Sequence, residues 1–418
     1  MKLVKLLAIL FVTVLMFSNV SFGQNAIPSG TARFEALGSS PFILDASIDI
    51  NNNPAWSSMY RNYAFGDIGR NTVDDFQLTD QFAAVNFGIS KDLTLGLVLN
   101  KREDMWNNFL NDTTVFPSAN VSQPIVPLKI LFSWSNKSFS LGLAPYYTAW
   151  SLDAISTPTS GSTAEIKRSS SSLGATLGIL ALLNKSGWIE GAVDFKMNSF
   201  KQVTTGGLNE TIDNQGGLQL SVMTRAFFQV DKKTDFNIVP YLGFGMYSWN
   251  PEVVPAPAST IYPKYSNINF AGGIGINFRV LEDGFLATGL SAGYSSYKIE
   301  QLNNVSSDQE TFTSFILPKF NIGLEWNLTE WMQARLGYSR SVTSYKDKSE
   351  FSTGTFELTQ SLASLADETI STGLGLQFSR FSFDGTIGEN FFKQAPWIIS
   401  GKSQTLFGVL SASYNFNR

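Results

Sequence analysis

Apolar and polar residues alternate along most of the chain, from Phe82 to Phe416. Ala83, Val85, Phe87 and Ile89 lead into the polar turn Ser90-Lys91-Asp92, and Leu93, Leu95, Leu97 and Leu99 lead away from it. Residues 128–134 and 139–143 repeat the figure about Asn136-Lys137-Ser138. Successive side chains of a strand point to opposite faces, so each segment presents an apolar stripe on one surface and small, hydroxyl or charged groups on the other. Further short turns are predicted at 184–187, 231–235, 282–284, 329–330 and 379–380. The intervening connections read as long loops: 102–127, 150–171, 200–216, 249–266, 299–313, 341–368 and 388–403. Fifteen alternating segments after Phe82, plus one near 60–66, predict fourteen to sixteen antiparallel strands when closure demands an even number.

Alternation alone also fits a water-soluble sandwich, and the compartment decides between the two. Lys2 and Lys5 precede the apolar run 6–17, and the small residues of Ser21-Phe22-Gly23 follow it, which predicts a signal peptide over 1–23. The competing reading, a membrane-anchoring helix, needs ~20 apolar residues, more than this run supplies. No later run reaches that length. A membrane protein without such helices must be a closed barrel, because hydrocarbon cannot satisfy an open sheet edge. Short turns alternating with long loops are the rhythm of bacterial outer-membrane barrels. The expectation is therefore an all-β, up-and-down antiparallel transmembrane barrel over 57–418, in the bacterial outer membrane.

Aromatic residues support two interfacial belts, since amphipathic rings suit the headgroup region. Trp134, Trp188, Trp326 and Trp331 fall at short turns, and Tyr147, Trp150, Trp249, Tyr294 and Tyr338 near the other strand ends. Aromatics make up 13% and charged residues 15% of the chain, the latter low beside the ~25% of soluble domains. The net charge of −4 carries no nucleic-acid footprint. With no cysteine there is neither a disulfide framework nor a lipid-modified N-terminal cysteine, and with no histidine the commonest general base and metal ligand is missing. No catalytic, metal or cofactor constellation is expected. Gly272-Gly273-Ile274-Gly275 lies in a strand, where glycines let other groups approach the backbone, rather than in a phosphate loop.

Charged residues opposite the apolar stripe should face the lumen, because on the lipid side each would cost several kcal/mol, ~2–4 for Arg or Lys near mid-bilayer. Arg225, Arg279, Lys319 and Arg335 are candidate contacts for an anionic headgroup. The competing reading is that such charges pair with one another, as Glu325 and Arg335 would across one short turn. Phe109, Phe116, Phe351 and Phe356 fall in the long loops and are candidates for capturing an apolar solute, with loop packing as their other role.

Residues 24–75 alternate poorly. Ala36-Leu37-Gly38, the acidic residues Asp45 and Asp49, and Asn53-Pro54-Ala55 stand between the signal peptide and the first strands. This order resembles the opening of the FadL-type outer-membrane transporters and their relatives, including PorV-like secretion-associated barrels. Ser39-Ser40 and Trp56 depart from the commoner pattern. The resemblance implies a hatch over 24–56 folded inside the lumen, with Asn53, Pro54 and Ala55 in it. It further implies passive uptake of small hydrophobic, fatty-acid-like molecules, with outer-membrane lipid and the solute as partners. The alternative is a PorV-like scaffold that serves a secretion complex and transports nothing. Read without the resemblance, residues 51–54 form a turn before a strand, since Asn bonds nearby backbone and Pro54 lacks an N–H.

Overall fold

The computed structural model describes residues 31–70, 81–102, 125–156, 164–183, 187–205, 210–214, 217–231, 233–254, 264–281, 283–301, 308–362, 368–387 and 407–416. The sequence expectations for the signal peptide and for Phe109 and Phe116 lie outside them. Among the described residues nineteen strands form one sheet. It starts with β1 (Tyr63–Arg70), β2 (Phe82–Gly88), β3 (Leu93–Arg102), β4 (Ile125–Ser135), β5 (Phe139–Ser156), β6 (Ala164–Leu182) and β7 (Gly187–Thr205). It continues through β8 (Glu210–Asn214), β9 (Gly217–Asp231), β10 (Phe236–Trp249), β11 (Pro251–Val254), β12 (Lys264–Val280) and β13 (Gly284–Glu300). The last are β14 (Gln309–Asn327), β15 (Met332–Phe351), β16 (Gly354–Leu362), β17 (Glu368–Phe378), β18 (Phe381–Ile387) and β19 (Phe407–Asn415).

β1 pairs antiparallel with both β2 and β19, so the sheet closes on itself. β8, β11 and β16 extend the wall beyond β9, β10 and β17, which leaves sixteen staves. The strand near 60–66 is the sixteenth, and the even count comes from it. The short turns carry turn chemistry. The Asn136 carboxamide oxygen accepts from the N–H groups of Ser138 (2.7 Å) and Phe139 (2.9 Å), and the Asp231 carboxylate accepts from the Thr234 hydroxyl (2.7 Å). Asp235, Leu281 and Ser379 take left-handed backbone there, with φ of 49°, 55° and 53°.

Burial is inverted relative to a water-soluble protein. Leu242, Ile370, Leu173 and Ile274 are 58–63% exposed, whereas Glu190, Arg335 and Arg225 are at most 7% exposed. An apolar exterior around a charged interior needs an apolar solvent, and every backbone group of a closed ladder is satisfied within the wall. The fold is thus a transmembrane β-barrel. A girdle of rings marks the short-turn end: Phe87 stacks on Phe416 and Trp331 on Phe378, both at 6.0 Å, and Phe381 meets Tyr414 at 4.4 Å. Tyr147 and Tyr294 are exposed toward the other end. Three expected belt members are corrected, Trp150 among them, since it lies on the inner face of β5 with Tyr146 and Thr148, opposite the buried Ser170. Trp188 packs inward on Trp56 at 5.7 Å, and Trp249 is buried inside against Phe200.

The long connections are also corrected, because strand continues into most of them. β5, β6, β7 and β12 to β15 run 17–20 residues, beyond the ~9–11 of a tilted membrane span. Their far ends form a tall wall above the bilayer, where water on the outer face replaces the apolar stripe by Ser, Thr, Lys and Glu. On β14 the register skips at residues 317–318, so two residues oppose one on β13 and one on β15. This bulge reverses the inside–outside order of β14 above it.

An arginine at Leu242 or Ile274, both mid-band, is expected to cost about 2–4 kcal/mol of stability in lipid, against about 0–1 for Ser266→Arg at the band's margin. Denaturant titration in vesicles measures both, and equal losses would contradict the assignment of that face to hydrocarbon.

Candidate functional site

Residues 31–58 fill the short-turn half of the lumen. Helix α1 (Thr31–Ala36) is followed by a bend in which Gly38 and Ser39 have φ of 76° and 50°. Helix α2 (Ala46–Asn52) starts at Asp45, whose carboxylate accepts from the N–H groups of Ser47 (3.2 Å) and Ile48 (3.3 Å). Asp49 reaches back to the Asp45 N–H at 2.9 Å. Asn51 and Asn52 belong to the last turn of α2, so the turn read over 51–54 narrows to Asn53 and Pro54. The Asn53 oxygen accepts from the Ala55 N–H at 3.1 Å and caps a 3-10 helix, Pro54–Ser58, with proline in its first turn.

Two buried carboxylates of the wall hold this hatch. Glu190 on β7 accepts from Trp56 Nε1 (2.5 Å), Asn53 Nδ2 (3.2 Å) and Arg225 Nε (2.5 Å). Arg225, on β9, also bonds Asp49 (2.5 Å) and the carbonyls of Pro41 (3.1 Å) and Ile43 (2.7 Å). Glu325 on β14 accepts from Arg33 of α1 (2.9 Å) and from Arg335 on β15 (2.6 Å), and Arg335 also bonds Asp384 (2.6 Å). Smaller bonds complete the seat: Asn277 Nδ2 to the Phe42 carbonyl (2.7 Å) and Asn321 Nδ2 to the Gly38 carbonyl (3.1 Å). Charges this deep are stabilised only by such partners. Wall glycines make the room. A Cβ at Gly142 or Gly178 would overlap Pro54, Ala55 or Asn53, and one at Gly275 would overlap the Phe42 ring.

The four luminal candidates separate. Arg225 and Arg335 are committed to these ion pairs. Arg279 lies near a short turn, 61% exposed, and pairs with Asp235 at 2.9 Å. Lys319 is half-buried on the inner face, opposite Ser291 and Ser341, and forms no ion pair among the described residues. Asn53, Pro54 and Ala55 are all buried in the hatch. Phe351 and Phe356 are exposed, but they belong to β15 and β16 rather than to loops. Sequence reading did not single out Arg33, Phe42 or Trp56 as contacts. Only their closeness to Asp45, Asp49 and Asn53 hinted at it.

Beside the ionic seat runs an apolar line. Trp188, Trp56, Tyr60, Tyr63, Phe65 and Phe82 follow one another at centroid spacings of 5.7, 6.1, 5.9, 5.5 and 6.0 Å. It leads from the short-turn end through the hatch and up the inner face of β1 and β2. Ala84, Val98, Leu131, Ala144 and Leu180 flank it, all buried. At the mouth Tyr297 lies between Tyr265 (6.0 Å) and Phe312 (6.4 Å), and Leu358 and Phe356 share the face of Asp347 and Ser349.

No protein-family model and no curated protein matches the chain. Among solved structures it is similar to a FadL homologue of Pseudomonas aeruginosa, at 12% identity and TM-score 0.42 over 94% of this chain and 100% of that one. The monoaromatic hydrocarbon channel CymD gives 10% and 0.37 over 95% and 100%. The outer-membrane transporter YddB of Escherichia coli gives 12% and 0.36 over 78% and 58%. At these values the likenesses carry no argument about what the chain does.

Glu190→Ala takes the acceptor from Trp56 Nε1 and Arg225 Nε and is expected to loosen the hatch by about 3–5 kcal/mol, the usual cost of removing one member of a buried pair. Amide exchange should rise across 31–58 while β13 to β15 stay protected. Unchanged exchange in the hatch would show that Glu190 does not hold it.

Proposed function

We propose that the chain is a bacterial outer-membrane channel for passive passage of small hydrophobic molecules. The observation that carries this reading is the unbroken aromatic line through the hatch. A water-filled pore has no use for six rings in series; they are packed shut here, and parting them presents low-dielectric surface to an apolar solute. The ionic seat grips the hatch along β7, β9, β14, β15 and β18, and the line leaves it at Trp188 and Trp56 to run on along β1 and β2. Loosening on that side opens an apolar path without unpairing the buried charges.

In this reading the long-connection end faces outward, and capture begins on the inner face of the tall wall at Tyr297, Phe312, Phe356 and Leu358. A fatty-acid-like solute is the finer form of the proposal. Lys319 supports it as an inward-facing ammonium that could meet a carboxylate. No observation favours the secretion-scaffold alternative.

Cells producing the chain are expected to take up a labelled medium-chain fatty acid faster than cells lacking it. Phe65→Asp, which puts a charge into the line, should lower that rate by roughly tenfold or more, one decade being about 1.4 kcal/mol of barrier. Lys319→Gln should slow the acid but not its methyl ester. Equal rates with and without the chain would sink the channel reading. Equal effects of Lys319→Gln on acid and ester would sink the carboxylate alone.

A further inference from the structure

The outer face above the apolar band carries a second pattern, which solute passage leaves unused. Moving away from the short turns, the outward residues of β6 are Leu177 and Leu173, then Ser171 and Ser169, then Lys167. On β7 they are Phe195 and Met197, then Ser199, then Lys201. β12 repeats the order with Phe270, Ile268, Ser266 and Lys264, and β13 with Leu290, Tyr294, Ser296 and Lys298. Register aligns the apolar and first serine tiers of β6 and β7, and sets the tiers of β12 and β13 one step of two residues apart. Leu173 lies opposite Met197, Ser171 opposite Ser199, and Ser169 opposite Lys201. Ile268 lies opposite Ser296, and Ser266 opposite Lys298. The hydroxyls of Ser171 and Ser199 bond at 2.6 Å.

On four staves, then, hydrocarbon gives way to hydroxyl and hydroxyl to ammonium, over steps of two residues or about 7 Å along the strand. A surface that only met water would have no reason to keep that order. The ester zone of a lipid leaflet offers acceptors to hydroxyls, and the phosphates one step further out attract ammonium groups on flexible apolar stems. Glu165 pairs with Lys167 at 3.0 Å, and Glu300 holds Lys298. Lys201 and Lys264 form no ion pair among the described residues.

We propose that this collar binds the phosphate groups of lipids in the leaflet around the mouth. The inference rests on the barrel spanning a bilayer and not on the passage of a solute. Native mass spectrometry of the full chain in neutral detergent, with phosphatidylglycerol added, tests it. The wild-type barrel should retain the lipid, and retention should fall as salt rises. The variant K167Q/K201Q/K264Q/K298Q should lose it by about fivefold for each lysine engaged. Lys319→Gln, altered only in the lumen, should retain it, and inorganic phosphate at the same concentration should not displace it. Heat-modifiable migration on gels verifies that each variant is folded. Equal retention by the quadruple variant, or displacement by inorganic phosphate, would overturn the proposal. Unchanged fatty-acid uptake by the quadruple variant separates this outcome from that of the channel reading.

Discussion

Backbone N–H and C=O groups turned toward hydrocarbon have no water to bond, and the ladder between β1 and β19 is where this chain meets that constraint. Without it the first and last strands would be open edges in lipid. The partners Tyr63↔Asn415 through Arg70↔Val409, with one bulge, close the ring. Closure in turn defines an inside, and the division of side chains into lipid-facing and enclosed follows from it.

Enclosure then makes the charged interior affordable only as a network. Glu190 and Glu325 each stand between an arginine of the wall and a donor of the hatch. Each buried carboxylate depends on the donors around it. The same bonds that satisfy the wall therefore seat the plug, and the hatch is as much a counter-ion for the barrel as a stopper. The apolar line is tied to this network at Trp56, which donates to Glu190, and beyond it Tyr60, Tyr63, Phe65 and Phe82 pack ring against ring toward β1 and β2.

Much of this was legible in the residues. Alternation from Phe82 onward identified the staves, because lipid on one face and polar groups on the other is a period-two code. It failed above the bilayer. There Thr311, Thr313, Lys346 and Lys348 meet water on the outer face, no apolar stripe remains, and strands read as loops. Trp188 and Trp249 were read as belt residues because position along a strand was legible while the facing of a side chain was not. The hatch was visible through Asn53-Pro54-Ala55 and its neighbours. Its partners were not, since nothing local connects Arg33 with Glu325 across nearly three hundred residues. Of the candidate cations, Arg225 and Arg335 look no different in sequence from Lys319. Only the folded chain shows that two of them are already occupied.

The bulge at residues 317–318 has a consequence for how this wall was built. An odd insertion shifts the reading frame of every side chain beyond it. Counted from Trp326 without a break, Phe312 would turn outward to water and Thr311 inward. With the extra residue, Phe312 comes to lie against Tyr297 in the mouth and the threonine goes to the surface. One strand thus carries two codes, one written for lipid and one for water, and either can be edited without disturbing the other.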